Sequence, residues 1–123
     1  MKPRIVHPDP AREFETAERC RILESWNTPD DREVSIARAR VAPGVRTEMH
    51  RLHDTVERYL IVSGEGEVEV GDLPLERVGP GDVVVIPAAV PQRIRNTGRH
   101  DLVFYCICSP AFRQESYEAL EQG

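Results

Sequence analysis

GVRTEMHRLHDTVERYLIVSG (residues 44–64) and GDVVVIPAAVPQRIRN (residues 81–96) are the two stretches that decide how this chain folds. The first carries two imidazoles and a carboxylate, His50, His53 and Glu57, within eight residues at the entrance to an apolar run. Donors of that kind at close spacing are the usual makings of a divalent-metal site. The second answers with Gly81, Pro87, Gln92 and Asn96, again around an apolar run. Glycine and proline at the ends of short apolar segments mark turns, and turns at this density belong to strands.

Outward from these stretches, residues 20–108 continue as short apolar or alternating runs divided by Gly, Pro, Asn and Asp, which predicts an antiparallel all-β domain. Strands are expected over 21–26, 33–41, 58–63, 67–70, 75–78, 83–86, 92–96 and 102–108. Residues 67–70, Glu-Val-Glu-Val, alternate strictly, so one face packs inward and the other is wet. Residues 83–86, Val-Val-Val-Ile, do not alternate and predict a strand covered on both faces. Glu57, Tyr59 and Ile61 share one face and point inward, while Arg58, Leu60 and Val62 take the other. Past Pro110, Phe112, Tyr117 and Leu120 fall at roughly helical spacing and predict a short C-terminal helix within a tail over 111–123. Residues 1–19 read as an N-terminal arm and 20–110 as the barrel.

At 123 residues the chain holds one domain, with a core large enough to fold without disulfides or a structural metal. Its 16 Lys and Arg against 21 Asp and Glu leave a net charge of -5, which argues against nucleic acid as a partner. Apolar runs fall far short of the ~20 residues that span a bilayer, so no membrane partner is expected. Residues 1–14 lack the apolar stretch of a secretory leader, and the expected location is the cytoplasm. Cys20, Cys106 and Cys108, odd in number, read as small buried hydrophobes in a reducing compartment. His7 and His100 read as surface histidines, and Arg93 with Arg95 as a solvated or subunit-facing stripe.

The order and spacing of the quoted residues resemble the two motifs of the cupin superfamily, Gly-x5-His-x-His-x3 or 4-Glu-x6-Gly and Gly-x5-Pro-x-Gly-x2-His-x3-Asn. The likeness covers about residues 20–110. Gly44, His50, Glu57, Gly64, Gly81, Pro87 and Asn96 stand at family positions, whereas Ala89 replaces a glycine and Gln92 a histidine. Two registers are open for the remaining ligand. With His50 as first ligand the second position falls on Leu52; with His53 as second ligand the first falls on Arg51, and a bulge could bring both rings to the pocket. Glu57, facing inward, needs a cation, a hydrogen-bond donor or an arginine, for which Arg46 or Arg51 would serve.

The resemblance implies a double-stranded β-helix (jelly-roll) barrel, commonly a homodimer, with a site in the barrel mouth. It also implies a divalent transition metal there, Fe, Mn, Ni, Zn or Cu, with His50, His53, Glu57 and Gln92 as the candidate ligands. On that reading the protein is a metal-dependent enzyme of dioxygenase or isomerase type. Tyr59 is its candidate proton donor or substrate contact, and a small organic acid, aromatic or sugar lies in the barrel. The alternative is a metal-free module that binds or senses a small molecule through His50, Glu57 and Gln92. A third option is a barrel whose polar interior serves only structure and whose role is dimerisation.

Overall fold

Side chains that alternate in and out along each strand leave every strand with one apolar face, and two antiparallel sheets bury those faces against each other. The computed structural model describes residues 1–121. Its strands are β1 (Phe14–Glu15), β2 (Arg21–Thr28), β3 (Asp31–Val41), β4 (His50–Leu52), β5 (Val56–Ser63), β6 (Gly66–Val70), β7 (Glu76–Val78), β8 (Val83–Ile86), β9 (Gln92–Asn96), β10 (Leu102–Ser109) and β11 (Tyr117–Ala119). One sheet runs β1-β2-β3-β10-β5-β8 and the other β11-β4-β9-β6-β7. The core between them draws Ala39 and Val41, Tyr59 and Ile61, Val68 and Val70, Val84 and Ile86, Ile94, Leu102 and Phe104 from six of these strands.

The expected strands are all present, with ends displaced by a few residues. Strand β4 was not expected, because three residues carry too short a pattern to read. The predicted C-terminal helix does not form. After a 3-10 turn at Gln114–Ser116 the chain enters β11, whose Tyr117, Glu118 and Ala119 pair with Leu52, Arg51 and His50. Without β11, β4 would be a bare sheet edge, and pairing across that edge outweighs a weak helical pattern. Residues 122–123 of the predicted helix and tail lie outside the described residues.

Strand β8 also departs from expectation. It alternates, with Val84 and Ile86 buried and Val83 and Val85 each 58% exposed. It lies at the edge of its sheet, with Val83 and Val85 left largely open on its outer face. Leu60 and Val62 of β5 are exposed beside it, so the outward side of this corner is apolar.

The motif glycines have concrete reasons. Gly64 sits at φ +88°, and a Cβ there would stand 2.7 Å from the Asp101 carbonyl oxygen. Any larger residue would have to push β5 away from the start of β10. Ala89, at the position where the motif has glycine, holds φ +67°. Its N–H donates to the Leu52 carbonyl at 2.7 Å, and the left-handed backbone costs about 1 kcal/mol for a residue with a Cβ. Asn96 is fully buried and structural: its amide donates to the carbonyls of Val41 and His100, and its oxygen accepts from the Gly98 N–H.

Candidate functional site

Strand β4 presents His50 and Leu52 inward and Arg51 sideways, as the period of two dictates. The first of the two registers therefore describes the structure, with Leu52 at the position of the second family histidine. Leu52 is a buried core residue. His53 lies beyond the strand end, next to Asp54 at φ +59°. Its side chain is 45% exposed, and its Nε2 lies 2.6 Å from Glu118 Oε1 on the tail. No bulge returns it to the barrel. Arg51 donates to the same Glu118 oxygen and not to Glu57.

His50, by contrast, is buried. Its Nδ1 is 2.8 Å from the Glu48 carbonyl oxygen, which can only accept, so that nitrogen carries a proton and donates. Tyr117 stacks on the ring at 4.8 Å between centroids and 16° between planes, and donates its hydroxyl to Glu48. Glu18 Oε2 approaches His50 Nδ1 at 3.6 Å. The imidazole is thus fixed from one side by the backbone of its own loop and from another by the C-terminal strand.

Facing it from β5, β9 and β10 is a chain of side-chain hydrogen bonds. Tyr59 donates its hydroxyl to Gln92 Oε1, and Gln92 Nε2 donates to Glu57 Oε1 at 2.7 Å. Cys108 reaches Glu57 Oε2 at 3.7 Å through its sulfur. Gln92 is fully buried, and Tyr59 and Glu57 nearly so. Burial pushes the Glu57 carboxyl above its usual range, opposed by the nearby His50 and the Gln92 amide. Burial also pushes the Tyr59 hydroxyl well up, as it does the Cys106 and Cys108 thiols, so these groups stay protonated.

Beside Glu57 opens a cavity of about 530 Å³, in the size range of small-molecule sites. Phe14, Ile22, Ile36, Ala37 and Phe112 form its apolar walls. Its polar lining includes Glu18, Glu24, Ser35, Glu57 and Tyr117. His50 and Tyr59 line a smaller void of about 50 Å³ behind it, which shares Glu18, Glu57, Cys106 and Tyr117 with the cavity. Glu57 is the one candidate ligand that reaches both.

Sequence reading missed Glu18, Glu24, Phe14 and Tyr117. Glu18 and Phe14 stood in a segment taken for an arm and Tyr117 in one taken for a helix. Phe14 offered a signal, being an aromatic flanked by Glu13 and Glu15 with no core pattern around it.

The cupin-domain family model matches residues 37–108, and the chain belongs to that family. A relative from Methanocaldococcus jannaschii, Uncharacterized protein MJ1618, is 33% identical over 87 residues, covering 71% of this chain and 69% of that one. Streptomyces PAC13 with uridine superposes with a TM-score of 0.80 at 13% identity, covering 98% of this chain and 92% of that one. The oxalate decarboxylase of Lactobacillus farciminis, in a formate complex, superposes with a TM-score of 0.74 at 24% identity. That match covers 89% of this chain but 33% of the decarboxylase. These two structures share the fold, a double-stranded β-helix barrel, and at such identity the likeness goes no further.

The donor set does not fit the metal that the family implies. His53 is engaged with the tail at the surface, Leu52 holds its place inside, and the Gln92 oxygen accepts from Tyr59. Among the described residues no three His, Cys, Asp or Glu side chains converge as a metal would require. His50 and Glu57 remain as two of the four candidate donors near one point.

Proposed function

We propose that this cupin barrel binds a small organic molecule without a resident metal. The occupant lies in the 530 Å³ cavity, with Glu57 at its floor and the His50 ring behind. The Gln92 amide carries this reading. It spans Tyr59 and Glu57 and so satisfies the polar groups that a metal would otherwise engage. Glu57 and His50 line the same void, so an enzyme acting by proton transfer on the bound molecule is the second reading.

Two measurements test the first reading. His53→Ala should leave ligand binding and bound metal unchanged and shift stability by less than about 0.5 kcal/mol, since it removes one surface pair. Elemental analysis after exposure to Fe(II), Mn(II), Ni(II) or Zn(II) should find far less than one metal per chain. Stoichiometric metal that is lost in His50→Ala and in His53→Ala alike would sink it.

The family expectation of a homodimer stands beside this. We place its contact at the open edge of β8, where Val83, Val85, Leu60 and Val62 form an exposed apolar corner. Unpaired backbone on an edge strand can meet its own copy about a two-fold axis. Light scattering should give twice the 13.9 kDa chain mass, and Val85→Asp should return it to one.

A further inference from the structure

The cavity walls differ in charge from the rest of the molecule. None of the chain's 16 lysines and arginines lines the cavity, while Glu18, Glu24 and Glu57 all do. Elsewhere several partly shielded carboxylates are matched to arginine: Glu13 to Arg38 and Arg40, Glu69 to Arg93, Glu118 to Arg51, Glu121 to Arg19. Among the described residues the three cavity glutamates make no such pair. Glu18, with its side chain 18% exposed, has only the His50 ring and the Cys20 thiol near its oxygens. Glu24 accepts from the Asn27 amide, and Glu57 from Gln92. A concave surface holding carboxylates that lack cations concentrates negative potential at the place where a ligand would sit.

A second observation concerns the aromatics. Phe14 is 51% exposed although it lines the cavity, and Phe112 and Tyr117 line it as well. An aromatic ring left half in water at the mouth of a pocket is an apolar and cation-attracting surface awaiting an occupant.

We infer that the cavity takes an organic cation: a protonated amine carried on an apolar body of about one aromatic ring, with the ammonium toward Glu18 and Glu57 and the body between Phe14 and Phe112. This rests on the reading of the cavity as the ligand site and narrows it, since a carboxylate ligand would meet the Glu18 and Glu24 carboxylates and no lysine or arginine.

The test is calorimetric titration of the full chain with three probes of matched shape: 2-phenylethylamine, 2-phenylethanol and phenylacetate. The amine should bind at least tenfold more tightly than the alcohol, and phenylacetate more weakly than either. Glu18→Gln should lower amine affinity about tenfold and leave alcohol affinity unchanged, which separates lost charge from a lost fold. Glu24→Gln, at an exposed position, should lower amine affinity about threefold. Glu69→Gln, outside the cavity, should change none of the three. Equal binding of amine and alcohol, or tighter binding of phenylacetate, overturns the charge preference and leaves the cavity as the ligand site. Binding of none of the three at millimolar concentration overturns both.

Discussion

Glu57 and Glu13 are both glutamates held mostly out of water, one at the cavity floor and one in the N-terminal segment, and their carboxyls are driven in opposite directions. Glu13 accepts from Arg40 and from Arg38, the latter at 3.1 Å, and the Arg40 hydrogen bonds hold its pKa down at about 2. Glu57 has an amide and a thiol for partners, and burial drives it up. Shielding alone therefore does not fix the charge of a carboxyl; the neighbour does. The outward face of the six-stranded sheet is built with its cations in place, and the inside is built with acids and none. A structural acid and an acid left available to a ligand differ in that respect.

The contrast can be broken most forcefully at Gln92. Gln92→Ala removes the amide between Tyr59 and Glu57, opens a void in a fully buried place and strands two polar groups. Stability should fall by about 3 kcal/mol. Urea unfolding measures this, and a loss below about 1 kcal/mol would mean the row of hydrogen bonds is not holding the floor together.

Next in size is Glu57→Gln, read against pH. A carboxyl whose pKa rises on folding binds its proton more tightly in the folded chain. Its stabilisation is whole below the ordinary 4.5 and is lost as pH climbs from there through the raised value. The native protein should therefore lose stability across that window, at up to about 1.4 kcal/mol per pH unit, and the glutamine variant should not. Parallel pH profiles for the two proteins would remove the claim that Glu57 resists ionisation.

Glu13→Gln should show the opposite slope and the smallest effect. Here the folded pKa is depressed, so the stabilisation is present above 4.5 and disappears as pH falls through about 2. The loss at pH 7 should be about 1 kcal/mol, because Arg38 and Arg40 are each 29% exposed and water screens part of the attraction. Thermal unfolding at pH 7 and pH 2 compares the two proteins; an undiminished difference at pH 2 would show that packing, not charge, is what Glu13 supplies.

Much of the site was readable from residue spacing, and the limits are instructive. That Glu57, Tyr59 and Ile61 face inward followed from alternation, because a strand repeats every two residues whatever it packs against. So did the presence of Leu52 on His50's face, once β4 was accepted as a strand. The position of His53 did not follow. It depended on whether a bulge formed, and the chain turns at Asp54 instead. Tyr117 was equally hidden: its role comes from pairing with Leu52, sixty-five residues away in the chain, and no local pattern reports such a pair.

By itself the sequence determined eight of the strands, the turns between them, the family and the inward side chains of β5. These all rest on local rules, the period of two and the backbone freedom of glycine, which act within a few residues. Only the tertiary structure decided which polar groups meet. Gln92 between Tyr59 and Glu57, Tyr117 on His50, and a cavity walled by segments from both ends of the chain all bring together residues far apart in sequence. Such meetings depend on how whole sheets pack, and a local pattern holds no record of that.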